Sequence, residues 1–124
     1  MTPQEVFDAA VNGVIAQGLP SATAHRIGGF TCLYRGPNGL KCAAGHLFTD
    51  GEVAGCETMA ASSILVRSPR LEEHDVLISS LQRAHDLAAE DAFREGDFDG
   101  PAFVGAFKEL VNEIAEALNL RGVE

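Results

Sequence analysis

The chain has 124 residues, 46% of them hydrophobic and 22% charged, which suits one domain spanning 1–124 with one core and argues against wholesale disorder. Eighteen acidic against nine basic side chains give a formal charge of −9, which disfavours direct binding to phosphate backbones and suits a basic protein partner, including one that itself binds nucleic acid. No apolar run approaches membrane-spanning length and no basic, then apolar, leader opens the chain, so no membrane partner is expected and the expected location is the cytoplasm.

The first predicted element is a helix. Thr2 is placed to cap it, Pro3 suits the first helical position and Glu5 stands where a capping-box carboxylate belongs. Val6, Phe7, Ala10, Val11, Val14 and Ile15 repeat at helical spacing until Gly18 and Pro20. Residues 18–29 read as a loop, with Gly28-Gly29 bending the chain before a strand. Gly36-Pro37-Asn38-Gly39 has turn chemistry, so Phe30 to Tyr34 and Leu40 to Cys42 are predicted to run antiparallel as a hairpin. The small apolar run Cys42 to Phe48 suits one or two helical turns, with Gly45 admitting another backbone.

After an Asp50-Gly51 turn, a helix is expected between Glu52 and Val66, starting near Glu57 and closed by Ser68-Pro69. The next helix runs from about Leu71 or Glu72 to about Glu90, with Leu77, Leu81, Ala84, His85 and Ala88 on its apolar stripe. Glu90 to Asp99 reads as an acidic connection. Pro101 opens the last helix, whose inner face is Phe103, Val104, Phe107, Leu110, Val111, Ile114 and Leu118. The fold class is therefore α+β and mostly helical: about four helices around one short β-hairpin. Broad apolar faces on the first and last helices make a homodimer one possible assembly.

Three cysteines argue against a disulfide framework and for reduced thiols. Cys32, Cys42, His46 and Cys56 have ligand chemistry suited to zinc, with His85 an alternative to His46. Their spacings of nine, three and nine intervening residues lack the close cysteine pairs of zinc knuckles, so the base expectation is no cofactor. A cysteine enzyme is the second alternative: Cys42 as nucleophile at a helix start, with His85 as base. Asp86, the next helical residue and about 100° around the axis, is not expected to reach the His85 ring. The plainest role for His85 is a core histidine whose nitrogens are satisfied by backbone or neighbouring groups.

Arg35, beside Tyr34 and the turn, is predicted to pair with Asp50 or Asp86, or else to stay free for a partner. Asp86, Glu90, Asp91, Glu95, Asp97 and Asp99, countered only by Arg94, form a second candidate binding surface for a basic partner. The Asp97 to Gly100 segment lacks the regular ligands of a calcium loop, and there is no phosphate-binding, dinucleotide or zinc-protease motif.

Two blocks carry a family resemblance: Cys32-x-Tyr34-Arg35-Gly36-Pro37-x-Gly39-x-Lys41-Cys42-Ala43-x-Gly45-x-Leu47-x-x-Asp50, and Leu81-Gln82-x-x-His85-Asp86. Together they resemble a family of small phage and prophage-type bacterial proteins, over roughly residues 3–119 in overall organisation. Phe48 stands where that pattern has an aliphatic residue, His46 falls at a variable position, and Cys56 lies outside it. The resemblance implies a mobile-element setting in a host cytosol and no specific mechanism. The expectation that follows is a non-enzymatic accessory protein that binds a host or phage protein, with inhibition of a host defence system, as by an anti-CRISPR protein, its concrete form.

Overall fold

A computed structural model describes residues 1–124. Helix α1 (Pro3–Gln17) begins with the expected capping box: Thr2 Oγ1 accepts the Glu5 N–H and the Glu5 carboxylate accepts the Thr2 N–H. It buries Val6, Phe7, Ala10, Val11 and Val14. The long helices α4 (Asp75–Ala92) and α5 (Gly100–Ala117) pack along each other, and α4 also touches α1 and the short helix α3 (Ala61–Leu65). One core of 28 buried residues runs between these elements. The chain is mostly helical α+β, as its patterning predicts. No helix is long and apolar enough to cross a membrane.

The hairpin lies elsewhere than expected. Strand β2 (Phe30–Cys32) pairs antiparallel with β1 (Ala22–Ala24), inside the predicted loop, in the register Ala22↔Cys32, Thr23↔Thr31 and Ala24↔Phe30. Gly28 and Gly29, at φ of 101° and 81°, make its reversal, which L side chains rarely adopt. Pro37–Gly39 instead form a tight 3₁₀ turn, with the Leu40 N–H bonded to the Pro37 carbonyl. The returning chain is held by a side chain instead of a strand. Gln17 accepts the Lys41 N–H and donates to the Lys41 carbonyl, both at 2.9 Å, as a neighbouring backbone would.

Three other expectations are corrected. Of the helix expected between Glu52 and Val66 only α3 forms, while Asp50-Gly51, expected as a turn, opens a short helix α2 (Asp50–Val53) capped by Thr49 and Glu52; Gly55 at φ 72° separates the two. Residues Glu72–His74 form a 3₁₀ turn that leads into α4. The acidic connection is the end of α4 followed by a second hairpin, β3 (Phe93–Arg94) with β4 (Asp97–Phe98). Glu95 and Gly96 both adopt positive φ there, which a two-residue hairpin turn requires. Phe30, Phe93 and Phe98 lock the two hairpins together, with ring centroids 5.1–5.4 Å apart. On α5, Phe103, Phe107 and Val111 are buried, but Leu118 is 44% exposed because the helix stops at Ala117 and the chain turns away at Asn119.

Candidate functional site

The two sequence blocks that suggested a family come together in space. Helix α4 supplies Gln82, His85 and Asp86, and the segment after β1 supplies Cys32, Tyr34 and Arg35. Between them lies a cavity of about 420 Å³, lined in part by Cys32, Tyr34, Glu57, Ser79, Gln82 and Asp86.

Its central group is Asp86, and its setting can be built one hydrogen bond at a time. The buried Ser21 N–H donates to His85 Nε2 at 3.0 Å. A main-chain amide can only donate, so Nε2 holds a lone pair and the ring proton is on Nδ1. That proton is directed to Asp86 Oδ1, 2.9 Å away. From the other side, the Ala44 N–H donates to Gln82 Oε1 at 2.9 Å, which turns the Gln82 amide nitrogen toward the same Oδ1, also at 2.9 Å. Gln82 and Asp86 meet because four residues on a helix return to the same face. Asp86 thus receives two donors on one oxygen, the Cys32 thiol stands beside the carboxylate, and the side chain is 46% exposed.

This overturns the expectation that Asp86 cannot reach His85. The ring enters the core, edge-on to Phe103 at 5.5 Å between centroids, but its Nδ1 edge stays near the helix surface. There the short Asp86 side chain folds back across the 100° offset. The roles are inverted relative to a catalytic triad: the histidine is buried and orients, and the carboxylate is presented.

The thiols fit packing better than catalysis. Cys42 is fully buried, and burial pushes its thiol up to about 12 even though the Gly45 N–H reaches the sulfur at 3.4 Å. Cys32, half-buried at the cavity, is also raised well above a free thiol, first by burial and then by the nearby Asp86 charge. Neither sulfur is a ready nucleophile at neutral pH. His85 cannot act as base in this arrangement either, since both ring nitrogens are committed.

The four residues first considered for zinc do not converge. Cys56 is buried beside Arg67, whose guanidinium donates to its sulfur at 3.1 Å. His46 stacks against Gly13 of α1, its Nε2 buried without a partner, and burial lowers its basicity, helped by Lys41 and Arg35. Ligand atoms of Cys32, His85 and Asp86 do lie within 4.8 Å of one another. With Nε2 accepting from Ser21, however, His85 Nδ1 carries a proton and offers no lone pair to an ion.

Arg35 is a brace. It donates to Asp50 at 2.7 Å and to the carbonyls of Tyr34, Gly45 and Phe48 at 3.1, 2.8 and 2.8 Å. Glu57, which sequence reading placed at a helix start, accepts the Tyr34 and Arg35 N–H groups on its two oxygens and closes one end of the cavity. Tyr34 is buried and donates its hydroxyl to the Met59 carbonyl. In the second acidic surface Glu90, Asp91, Glu95 and Asp97 are exposed at the end of α4 and in the β3–β4 hairpin, and Asp99 caps α5 and pairs with Arg94 at 2.9 Å. Neither Asp86 as the presented group nor Ser21 as its anchor was singled out from sequence. The advance signals were the Leu81-Gln82-x-x-His85-Asp86 block and the place of Asp86 in the acidic cluster.

No family model, curated protein or solved structure matches the chain.

Proposed function

We propose that this chain is a small, acidic, non-enzymatic binding protein that receives a lysine or arginine side chain of a protein partner at Asp86. The observation that carries this reading is the fixed carboxylate: two donors hold Oδ1 of a side chain that is 46% exposed and lines a cavity large enough for an amino-acid side chain. A carboxylate held in this way pairs with a cation without first losing its own freedom, which strengthens a charge-assisted contact. The net charge of −9 supports the same choice, because it favours encounter with a basic surface. The resemblance to phage and prophage-type proteins supplies the setting, in which the partner is a host or phage protein and inhibition of a host defence complex is the concrete form. A cysteine enzyme built on Cys42 and His85 is disfavoured by the buried, raised thiol and the committed imidazole.

The test is an NMR titration with acetylated arginine amide and acetylated lysine amide at low salt. Saturable shifts at Cys32, Gln82 and Asp86, absent in Asp86→Asn and weakened by added salt, are expected. Shifts that are unaffected by Asp86→Asn, or no response near Asp86 at all, would overturn the proposal.

A further inference from the structure

Strand β2 has one used edge and one open edge. The His25 N–H bonds to the Gly29 carbonyl and the Leu33 N–H to the Ser21 carbonyl, each at 2.9 Å, around the Thr23↔Thr31 pair. Main-chain groups alternate sides along a strand, so those of Thr31 and Leu33 face β1 and those of Phe30 and Cys32 face away. No third strand takes them, since the sheet contains only β1 and β2. Tyr34, next in the same alternation, is already closed off: Glu57 accepts its N–H and the Arg35 guanidinium donates to its carbonyl. The edge is therefore sealed at Tyr34 and open at Cys32 and Phe30.

Exposed edges are usually shielded by lysine, proline or a bulge, because they template pairing with another chain. β2 is short, at three residues, but Phe30, Thr31 and Cys32 bring none of these. Beside the open edge lies a groove of about 480 Å³ lined by Phe30, Cys32, Arg83, Asp86, Leu87 and Glu90. Cys32 and Asp86 also line the cavity described above, so groove and cavity adjoin at these two residues.

We infer that the partner binds as an extended segment that adds a strand to the free edge of β2, with a basic side chain directed at Asp86. Two residues, each with one open donor and one open acceptor at a spacing of two, match the main-chain repeat of an incoming strand. Glu57 at the sealed end sets where that strand must stop. Its main chain supplies affinity that is indifferent to sequence, and the cavity supplies selection for one side chain. Only that selection rests on the Asp86 reading; the strand addition stands on the backbone geometry.

The probe is a short peptide of alternating threonine and valine with a central lysine. It is compared with a central-glutamate version and with one N-methylated on alternate amides. Amide hydrogen exchange in the full chain should slow by about tenfold or more at Phe30 and Cys32 when the lysine peptide is bound, and the other two peptides should bind more weakly. Cys32→Pro removes an N–H that β1 does not use, so it should weaken binding by roughly five- to tenfold relative to Cys32→Ala. If Cys32→Pro fails to fold, the N-methylated peptide decides the same point. Binding that perturbs Asp86 without protecting Phe30 and Cys32 would remove the strand addition and leave the cation site standing. Protection given equally by the lysine and glutamate peptides would do the reverse. Absence of binding by every peptide at millimolar concentration would remove strand addition, and protection that grows with protein concentration alone would assign the edge to a second copy of this chain.

Discussion

Replacing His85 with alanine is the sharpest perturbation of the site because the ring has two duties that can be weighed separately. The substitution leaves the Ser21 N–H buried without an acceptor, which costs about 1–3 kcal/mol. It also removes a fully buried ring that packs edge-on to Phe103, a large-to-small change worth about 2–3 kcal/mol. Asp86 suffers less, because it keeps Gln82 and is open to water. Allowing for incomplete additivity between terms that share one site, the expected loss is about 3–5 kcal/mol. Against the roughly 5–15 kcal/mol of a typical domain, that lowers the urea midpoint by roughly 2–4 M. Asp86→Ala should cost only about 1 kcal/mol, since the groups it frees lie near solvent. Equilibrium unfolding in urea, monitored by circular dichroism, measures both. A His85→Ala loss under about 1 kcal/mol, or equal losses for the two variants, would refute the relay from Ser21 as the anchor of the site. Imidazole nitrogen chemical shifts supply an independent check: the proton must reside on Nδ1.

Arg35→Lys should recover less than half of the roughly 2–4 kcal/mol lost in Arg35→Ala, because one ammonium cannot serve Asp50 and three carbonyls in different directions; chemical denaturation of the two variants decides it. The Arg35 hydrogen bond and charge hold the Asp50 carboxyl below its ordinary value of 3.8, so its contribution is fully present above that value and is lost as pH falls through the lowered folded value. The stability of Asp50→Asn should accordingly fall less steeply than wild type below about pH 4, and parallel acid limbs would contradict the pairing. Cys42 in the native chain should resist a thiol-labelling reagent at neutral pH and react once urea unfolds the chain, as mass spectrometry of the labelled cysteines will report; rapid native labelling would return it to candidacy as a nucleophile.

Local signals were legible in the sequence and long-range pairings were not. The capping box at Thr2 and Glu5, the apolar stripe of α4 and the inner face of α5 through Ile114 follow from helical periodicity, which is written into neighbouring residues. The hairpin went astray because Gly36 to Gly39 carries better turn residues than His25 to Gly29. Which segment pairs with Phe30–Cys32 depends on what each segment meets in three dimensions: Gln17 claims Lys41, leaving Ala22–Ala24 to pair. The same holds for the site. Gln82, His85 and Asp86 are visible as a block, but the order of donors and acceptors among them is set by the amides of Ser21 and Ala44, which lie far away in sequence and carry no side-chain signature.

Those two amides have an evolutionary consequence. Both ends of the relay into Asp86 are main-chain N–H groups, which substitution at Ser21 or Ala44 by any residue but proline leaves in place. Drift at the surrounding side chains can shorten the relay, by losing His85 or Gln82, but cannot reverse its direction. Every donor points toward the same carboxylate oxygen. A lineage carrying this fold is therefore free to remodel the surroundings of Asp86, through Ser79 of the cavity or Glu90 of the groove, and so change which of the cations proposed for it would fit. To accept an anion it would have to give up Asp86 itself, and the relay would then have nowhere to end.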